Sequence, residues 1–335
     1  MAEPKGDEAK PFINIEENQE IPELTKWHCL FGKRTFWIVD DNPYVNFFYY
    51  KLTINQTSIA HFMFYISIFI FYNNIYKYVP DQFKWIHHLL NVSYFLAVIS
   101  LVRTFSKNPG FLPFYYPVSN KKIFTTNEIR SGFAYKPLQL LFAQSLNRDP
   151  RVSFSSKVGF FVIRADHFCG FIGQFIGLYN HRFFINTCLY LGIYLDTFFT
   201  TVFVLSITKH VKFTVIQIIF YLGTTGFFGF LVTSQLIHQI ICISDNQTSL
   251  EKMKGYKKAY DRGVLNNWEE IFGPRKYMIL WFIPFFDLHP LVDGLHYPKD
   301  EVNKEAEQEK EQEREKAQKL YLEVLNDPNH ELRKI

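Results

Sequence analysis

Asp166, His167 and Cys169 fall within four residues, in the run DHFC. A carboxylate beside an imidazole can orient it. The imidazole can then hold a nearby cysteine as thiolate and return the proton to a leaving group. This is equipment for nucleophilic catalysis. Such a triplet also arises by chance, with Asp166 as a turn or cap residue and Cys169 as a small buried hydrophobe. Asp196 lies in an apolar stretch, where a charge is expensive and usually faces protein. A Thr224 or Thr225 hydroxyl is its expected partner, and a proton or substrate contact is the functional alternative. His87 and His88 are neighbours on different helix faces, which argues against a shared metal. His238 and Asp245 are expected to pair near a membrane surface. Cys29, Cys169, Cys188 and Cys242 are far apart with no CxxC pair, so neither a disulfide framework nor a cysteine-built zinc site follows.

These residues must be positioned by apolar elements. Of 335 residues, 37 are Phe and 20 Tyr, while the net charge is only +4, which gives no case for nucleic acid. A spanning helix needs about 20 mostly apolar residues. Four stretches qualify, at about 61–79, 85–105, 183–207 and 213–243. The short connections between the first two and the last two predict helical hairpins. Residues 106–182 hold ten Lys or Arg against three Asp or Glu, and the segment after the fourth span opens with Lys252, Lys254, Lys257, Lys258 and Arg262. By the positive-inside bias, this long loop and the tail share one side, the cytosol or a matrix-like compartment. Asn-x-Ser/Thr sites at Asn55, Asn91 and Asn246 then carry little weight. The opening MAEPKGDEAKP reads as neither a secretory signal nor an Arg-rich transit peptide. Residues 301–335 are rich in helix formers and i,i+4 Glu–Lys or Glu–Arg pairs. A solvated helix is expected there, with Leu320, Leu322, Val324 and Leu325 as the apolar end on which a partner could bind.

Around this frame the chain resembles the DHHC protein S-acyltransferases (palmitoyltransferases). Asn108-Pro109-Gly110 is similar to that family's Asp-Pro-Gly motif, and Arg148-Asp149-Pro150-Arg151 to its Lys-Pro-Pro-Arg stretch. Asp166-His167-Phe168-Cys169 stands at the signature tetrad, with Phe for the second His. Ile176-Gly177, Asn180, Arg182 and Phe184 follow at family spacing. Thr248-Ser249-Leu250-Glu251 resembles the Thr-Thr-x-Glu motif, and Tyr260-Asp261-Arg262-Gly263, Asn267-Trp268 and Phe272-Gly273 the C-terminal Gly and Asn motif. The resemblance implies Cys169 as acyl-accepting nucleophile, His167 as base and Asp166 as its orienter. It also implies a cysteine-rich loop holding two zinc ions.

At the zinc-ligand positions the chain departs from the family. An ungapped count puts Leu141, Gln144, Phe154 and Phe161 at the first zinc, and Ser155, Val158, Phe168 and Phe175 at the second. None supplies thiolate or imidazole. Six of the eight are apolar, so a small hydrophobic core is expected to replace the metals. Beside the tetrad, Gly170 and Phe171 stand for Pro and Trp, and Gly173 and Gln174 for two Asn. A site loosened by about an ångström can lose orders of magnitude in rate.

The expected fold is therefore all-α and membrane-embedded. It consists of an N-terminal segment (1–57), a first hairpin (58–105), a metal-free degenerate DHHC-type domain (106–182), a second hairpin (183–243), a family-motif region (244–300) and a charged helical tail (301–335). The functional expectation is a non-catalytic structural or accessory subunit of a larger membrane complex, such as an energy-converting one in an organelle. It would have no cofactor, and its partners would be the lipid bilayer and other membrane subunits. The alternative is a working S-acyltransferase that takes a long-chain acyl group from acyl-CoA through Cys169. Resemblance points to an endomembrane location, and the subunit reading to an organelle inner membrane. A channel or transporter lacks the inverted repeat, broken-helix pair and row of intramembrane charges it would need.

Overall fold

The computed structural model describes residues 45–47, 50–52, 69, 75–118, 134, 136–149, 151–155, 159–172, 174–208, 213–255, 258, 260–288, 290 and 304–334. Most of the expected first span therefore lies outside the described residues, as do Val158 and Gly173. The described end of that span, Tyr76–Tyr78, is a 3-10 turn and not α-helix. A second turn, Asp81–Phe83, leads into α1, Trp85–Ser106. Two further long helices follow, α3 (His181–Ile207) and α4 (Val215–Ser244), with the short α2 (Pro137–Ser145) between α1 and α3. Among the described residues, three helices are long and apolar enough to cross a membrane: α1 with its preceding turn, α3 and α4. Both α1 and α4 pack along α3. Leu90, Ala97 and Leu101 of α1 share one apolar cluster with Leu191, Tyr194, Leu195 and Phe198 of α3 and Tyr221 of α4.

Asp196 accepts a hydrogen bond from the Thr233 hydroxyl at 3.0 Å, so its partner is neither Thr224 nor Thr225. A Cβ on Gly229 would stand 2.7 Å from the same carboxylate. The small residue lets α4 approach α3 there, and Thr233 lies one helical turn further along that face. His238 bonds to Ser249 and Cys242, while Asp245 pairs with Lys258. The expected His238–Asp245 pair does not form.

The segment between α1 and α3 is not all-helical. A hairpin of β1 (Val45–Phe47) and β2 (Tyr50–Leu52) precedes it. Within it, β3 (Phe111–Leu112), β4 (Val152–Ser155) and β5 (Phe160–Ile163) form an antiparallel sheet in the order β3-β5-β4, and β6 (His167–Cys169) pairs with β7 (Gln174–Ile176). Strand β5 is the run FFVI with every residue buried. An apolar run of that length reads equally as buried strand or helix, which is why periodicity missed it.

The chain after α4 returns to the same domain through α5 (Ser249–Met253) and α6 (Val264–Phe272). The tail forms α7 (Lys304–Asn326) and α8 (Glu331–Lys334). Contrary to the solvated helix expected, α7 packs on α2, with Tyr321 and Val324 buried against Leu141, Phe142 and Phe161. The surface that α7's apolar end meets is this chain's own domain.

Candidate active site

Strand geometry decides what each residue of the tetrad faces. Successive side chains along a strand point to opposite faces, so His167 and Cys169 share one side of β6 and Phe168 takes the other. Phe168 packs with Phe175, its cross-strand partner, beside Phe111, Phe160, Val162 and Ala165. Cys169, partly buried, packs instead on the cluster between the membrane helices, which includes Phe184 and Cys188 of α3. His167 sits edge-on to Phe184, ring centroids 5.2 Å apart. The replacement of the tetrad's second histidine therefore falls on the face away from the reactive pair.

Asp166 is fully buried just before β6. Its carboxylate accepts from His167 Nδ1 at 2.6 Å, Gln239 Nε2 at 2.9 Å, and the Ser249 amide and hydroxyl at 2.7 and 3.1 Å. Burial opposes its ionisation. The hydrogen bond and charge of His167 and the Ser249 amide outweigh that and hold it well below the usual carboxylate range. Burial also opposes protonation of His167, but hydrogen bonds to Asp166 and Cys169, with their charges, push it up to about 10. The imidazole thus keeps a proton at Nδ1 for Asp166, with Cys169 on the same face of β6.

The orienting chain runs further back. The guanidinium of Arg164 can only donate, so His181 Nδ1, 3.2 Å away, accepts. His181 Nε2 must then donate to Gln239 Oε1 at 2.7 Å, which turns the Gln239 amide nitrogen toward Asp166. Sequence reasoning missed Arg164, His181 and Gln239. The contacts span 17 to 73 residues, and none has a local pattern; only Arg164's burial and its positive φ of 45° mark it out.

The other motifs serve as clamps. Asn108 Oδ1 accepts from the Gly110 and Phe111 amides, a task an Asp would perform equally. Gly110 has a φ of +108°, open to glycine at little cost. A Cβ on Gly177 would lie 2.5 Å from the Pro109 carbonyl, so the two motifs interlock by close backbone approach. Asn180 donates to the carbonyls of Thr104 and Phe175, and Gln174 to that of Phe105, tying β7 to the end of α1. Gln174, expected to loosen the site, is thus a buried tie. Arg182 donates to the carbonyls of Leu280, Trp281, Ile283 and Phe286. Arg151 meets Glu251, Glu270 and Asn246, and Arg164 meets Glu270 and Asn246.

The described residues at the expected zinc positions lie in two groups. Leu141, Gln144 and Phe154 line one cavity, and Phe154 pairs across the sheet with Phe161, ring centroids 5.2 Å apart. Phe168 and Phe175 form the second group with Phe160, which stands opposite Ser155. Aromatic rings in mutual contact do not fit a thiolate–imidazole shell. Among the described residues no three His, Cys, Asp or Glu side chains converge on a common point.

Residues 135–256, which contain this constellation, match the family model for the DHHC palmitoyltransferase. This part of the chain is similar to that family. Palmitoyltransferase ZDHHC14 of Homo sapiens is 27% identical over 202 residues, 49% of this chain and 39% of that protein. Palmitoyltransferase ZDHHC15 of Xenopus laevis is 26% identical over 168 residues, 44% of this chain and 46% of the relative. Protein S-acyltransferase 8 of Arabidopsis thaliana is 31% identical over 147 residues, 38% of this chain and 35% of the relative. The matches thus span between about a third and a half of these relatives' lengths. They bear out the family resemblance and the membrane setting.

Proposed function

We propose that the protein is a working protein S-acyltransferase, which moves a long-chain acyl group from acyl-CoA to protein cysteines through a thioester at Cys169. The observation that supports this best is the Asp166–His167 hydrogen bond of 2.6 Å, with Cys169 on the same strand face as His167. In this reading the proton of the His167–Cys169 pair rests on His167 before acyl-CoA binds, in keeping with the raised His167. The Cys169 sulfur attacks the acyl-CoA carbonyl, the bond from that carbonyl to the CoA sulfur breaks, and His167 returns the proton to release CoA as its thiol. In the second half a substrate cysteine gives its proton to His167 and attacks the acyl carbonyl. Cys169 leaves and is restored. The apolar cluster that Cys169 adjoins, between α1, α3 and α4, suits an acyl chain entering from the bilayer.

Two of the neighbours that argued for a non-catalytic subunit, Gly170 and Gln174, do not disturb this geometry. Gly170 sits in an open turn with nothing near its Cβ direction, and Gln174 braces the hairpin. The relatives' names add weight to the acyltransferase reading. The zinc sites are proposed to be replaced by the two aromatic groups, leaving the chemistry to protein side chains alone. Incubation of the purified protein with a clickable long-chain acyl-CoA is expected to give hydroxylamine-sensitive label. Cys169→Ser should abolish it, and His167→Ala should slow it by about 100-fold or more. A folded wild-type protein that takes no label would return the reading to an accessory subunit.

A further inference from the structure

Asp196 is the only acidic side chain in α1, α3 and α4, whose only Lys or Arg residues, Arg103 and Arg182, sit in end turns. At 1.5 Å per residue it stands about 22 Å from the start of α3 and about 16 Å from its end. The first turns of α3, His181–Cys188, are buried, so the part left to cross a bilayer has Asp196 near its middle. The side chain is nevertheless exposed. Its Oδ2 accepts from the Thr233 hydroxyl, while Oδ1 lies against Gly229 and takes no hydrogen bond among the described residues. A carboxyl group at that depth normally faces protein, because hydrocarbon offers it neither water nor donors.

The surface around it is that of a helix-docking ridge. Thr200, Phe203 and Ile207 continue the exposed face of α3 at helical spacing, and Phe230 and Ile237 of α4 flank it. A Cβ at Gly226 would press on the Phe199 ring, and one at Gly229 on Asp196 itself, so small residues hold the two helices close behind this face. Lipid chains would cover the apolar part equally well, but they would not satisfy the carboxylate. A second copy of the chain does not supply the missing partner. Neither α1, α3 nor α4 has a Lys or Arg away from its ends, and residues 61–79 have only Lys77, near theirs. Two copies meeting here would set carboxylate against carboxylate. Charge complementarity asks for a helix with a cation at mid-depth, which carries the same penalty when alone.

We propose that the outer face of α3 around Asp196 docks a transmembrane helix of another protein, one that carries a Lys or Arg at its midpoint and pairs it with Asp196 inside the bilayer. Thr233 holds one carboxylate oxygen and leaves Oδ1 for the incoming cation. The proposal stands whether or not Cys169 carries an acyl group.

The test uses a synthetic transmembrane peptide of about 21 Leu and Ala residues with one central Lys. It is reconstituted with the full chain in phosphatidylcholine vesicles, and resonance energy transfer between labels on the two is followed as the peptide-to-lipid ratio rises. Saturable transfer, with an apparent affinity about tenfold or more above that of the same peptide with Leu at the centre, supports the site. Asp196→Asn should erase the difference. Asp196→Lys should reverse the preference, so that a peptide with a central Glu is held better than the Lys peptide, a result that loss of fold would not give. Equal transfer with the Lys and Leu peptides, or an Asp196→Asn variant that keeps the Lys preference, would overturn the proposal. So would transfer between two labelled copies of the chain that Asp196→Asn abolishes, since that assigns the face to self-association.

Discussion

At the scale of single residues, the candidate site is organised around one buried carboxylate. Asp166 accepts four hydrogen bonds from three different parts of the chain, so its geometry is fixed before any substrate arrives. The pH consequence follows from the direction of each shift. His167 is raised from 6.5 to about 10. The stability it contributes is complete below its unfolded value and is lost as pH rises through about 10. Asp166 is depressed, so its contribution is present above 3.8 and is lost only in strong acid. The pair therefore holds throughout the neutral range. Asp166→Asn should return His167 toward its ordinary value and slow acyl transfer by about 100-fold or more. Thermal melts in detergent should show wild type above the variant at pH 7, with the gap closing as pH approaches 10. A gap that does not change with pH would mean that Asp166 acts as packing alone.

At the scale of elements, the membrane helices were legible and the domain's strands were not. Helices α1, α3 and α4 begin and end within about two residues of the apolar stretches, because a long hydrophobic run has one structural solution in a bilayer. The strands are two to four residues long. Strand β5 is buried on both faces, so no alternation marks it. The tail misled for a different reason: Val324 stood out in its apolar end, but the surrounding charge concealed Tyr321 and suggested a solvated helix, whereas both residues bury in the chain's own domain. Removal of residues 304–335 should expose that core patch. Two buried side chains at about 1.5–3 kcal/mol each imply a loss of about 3–6 kcal/mol. The double substitution Tyr321→Ala, Val324→Ala should reproduce most of it in denaturant melts of the purified protein. The aromatic groups at the positions where the family resemblance implies zinc ligands carry a companion expectation. Elemental analysis should find zinc far below one atom per chain, and chelator should leave the melting temperature unmoved. Stoichiometric zinc would sink the replacement argument.

For the molecule as a whole, the question is what joins a domain between α1 and α3 to chain that leaves α4. The joint is ionic and buried. Arg151 and Arg164 come from the domain, and Glu251, Glu270 and Asn246 from beyond α4. Glu270 is fully enclosed, with one oxygen shared by both arginines and the other reached by Asn246 and Arg262. Asn246 holds a positive φ of 45° and also donates to the Tyr260 carbonyl. As a sequon it looked uninformative; it is a hub. Desolvating such charges makes the network a weak net source of stability when intact, but removal of one partner strands the rest. Glu270→Ala leaves two fully buried guanidinium groups facing each other, and should cost about 3–5 kcal/mol. The damage should spread: amide exchange should rise in residues 151–164 and 246–251 together, because one joint holds both. Arg164→Met combined with Glu270→Met should recover part of the loss, since it removes a charge of each sign. If Glu270→Ala softened only α6 and left residues 151–164 protected, the domain would be stabilised from the membrane helices instead, and Asp166 would be positioned independently of this network.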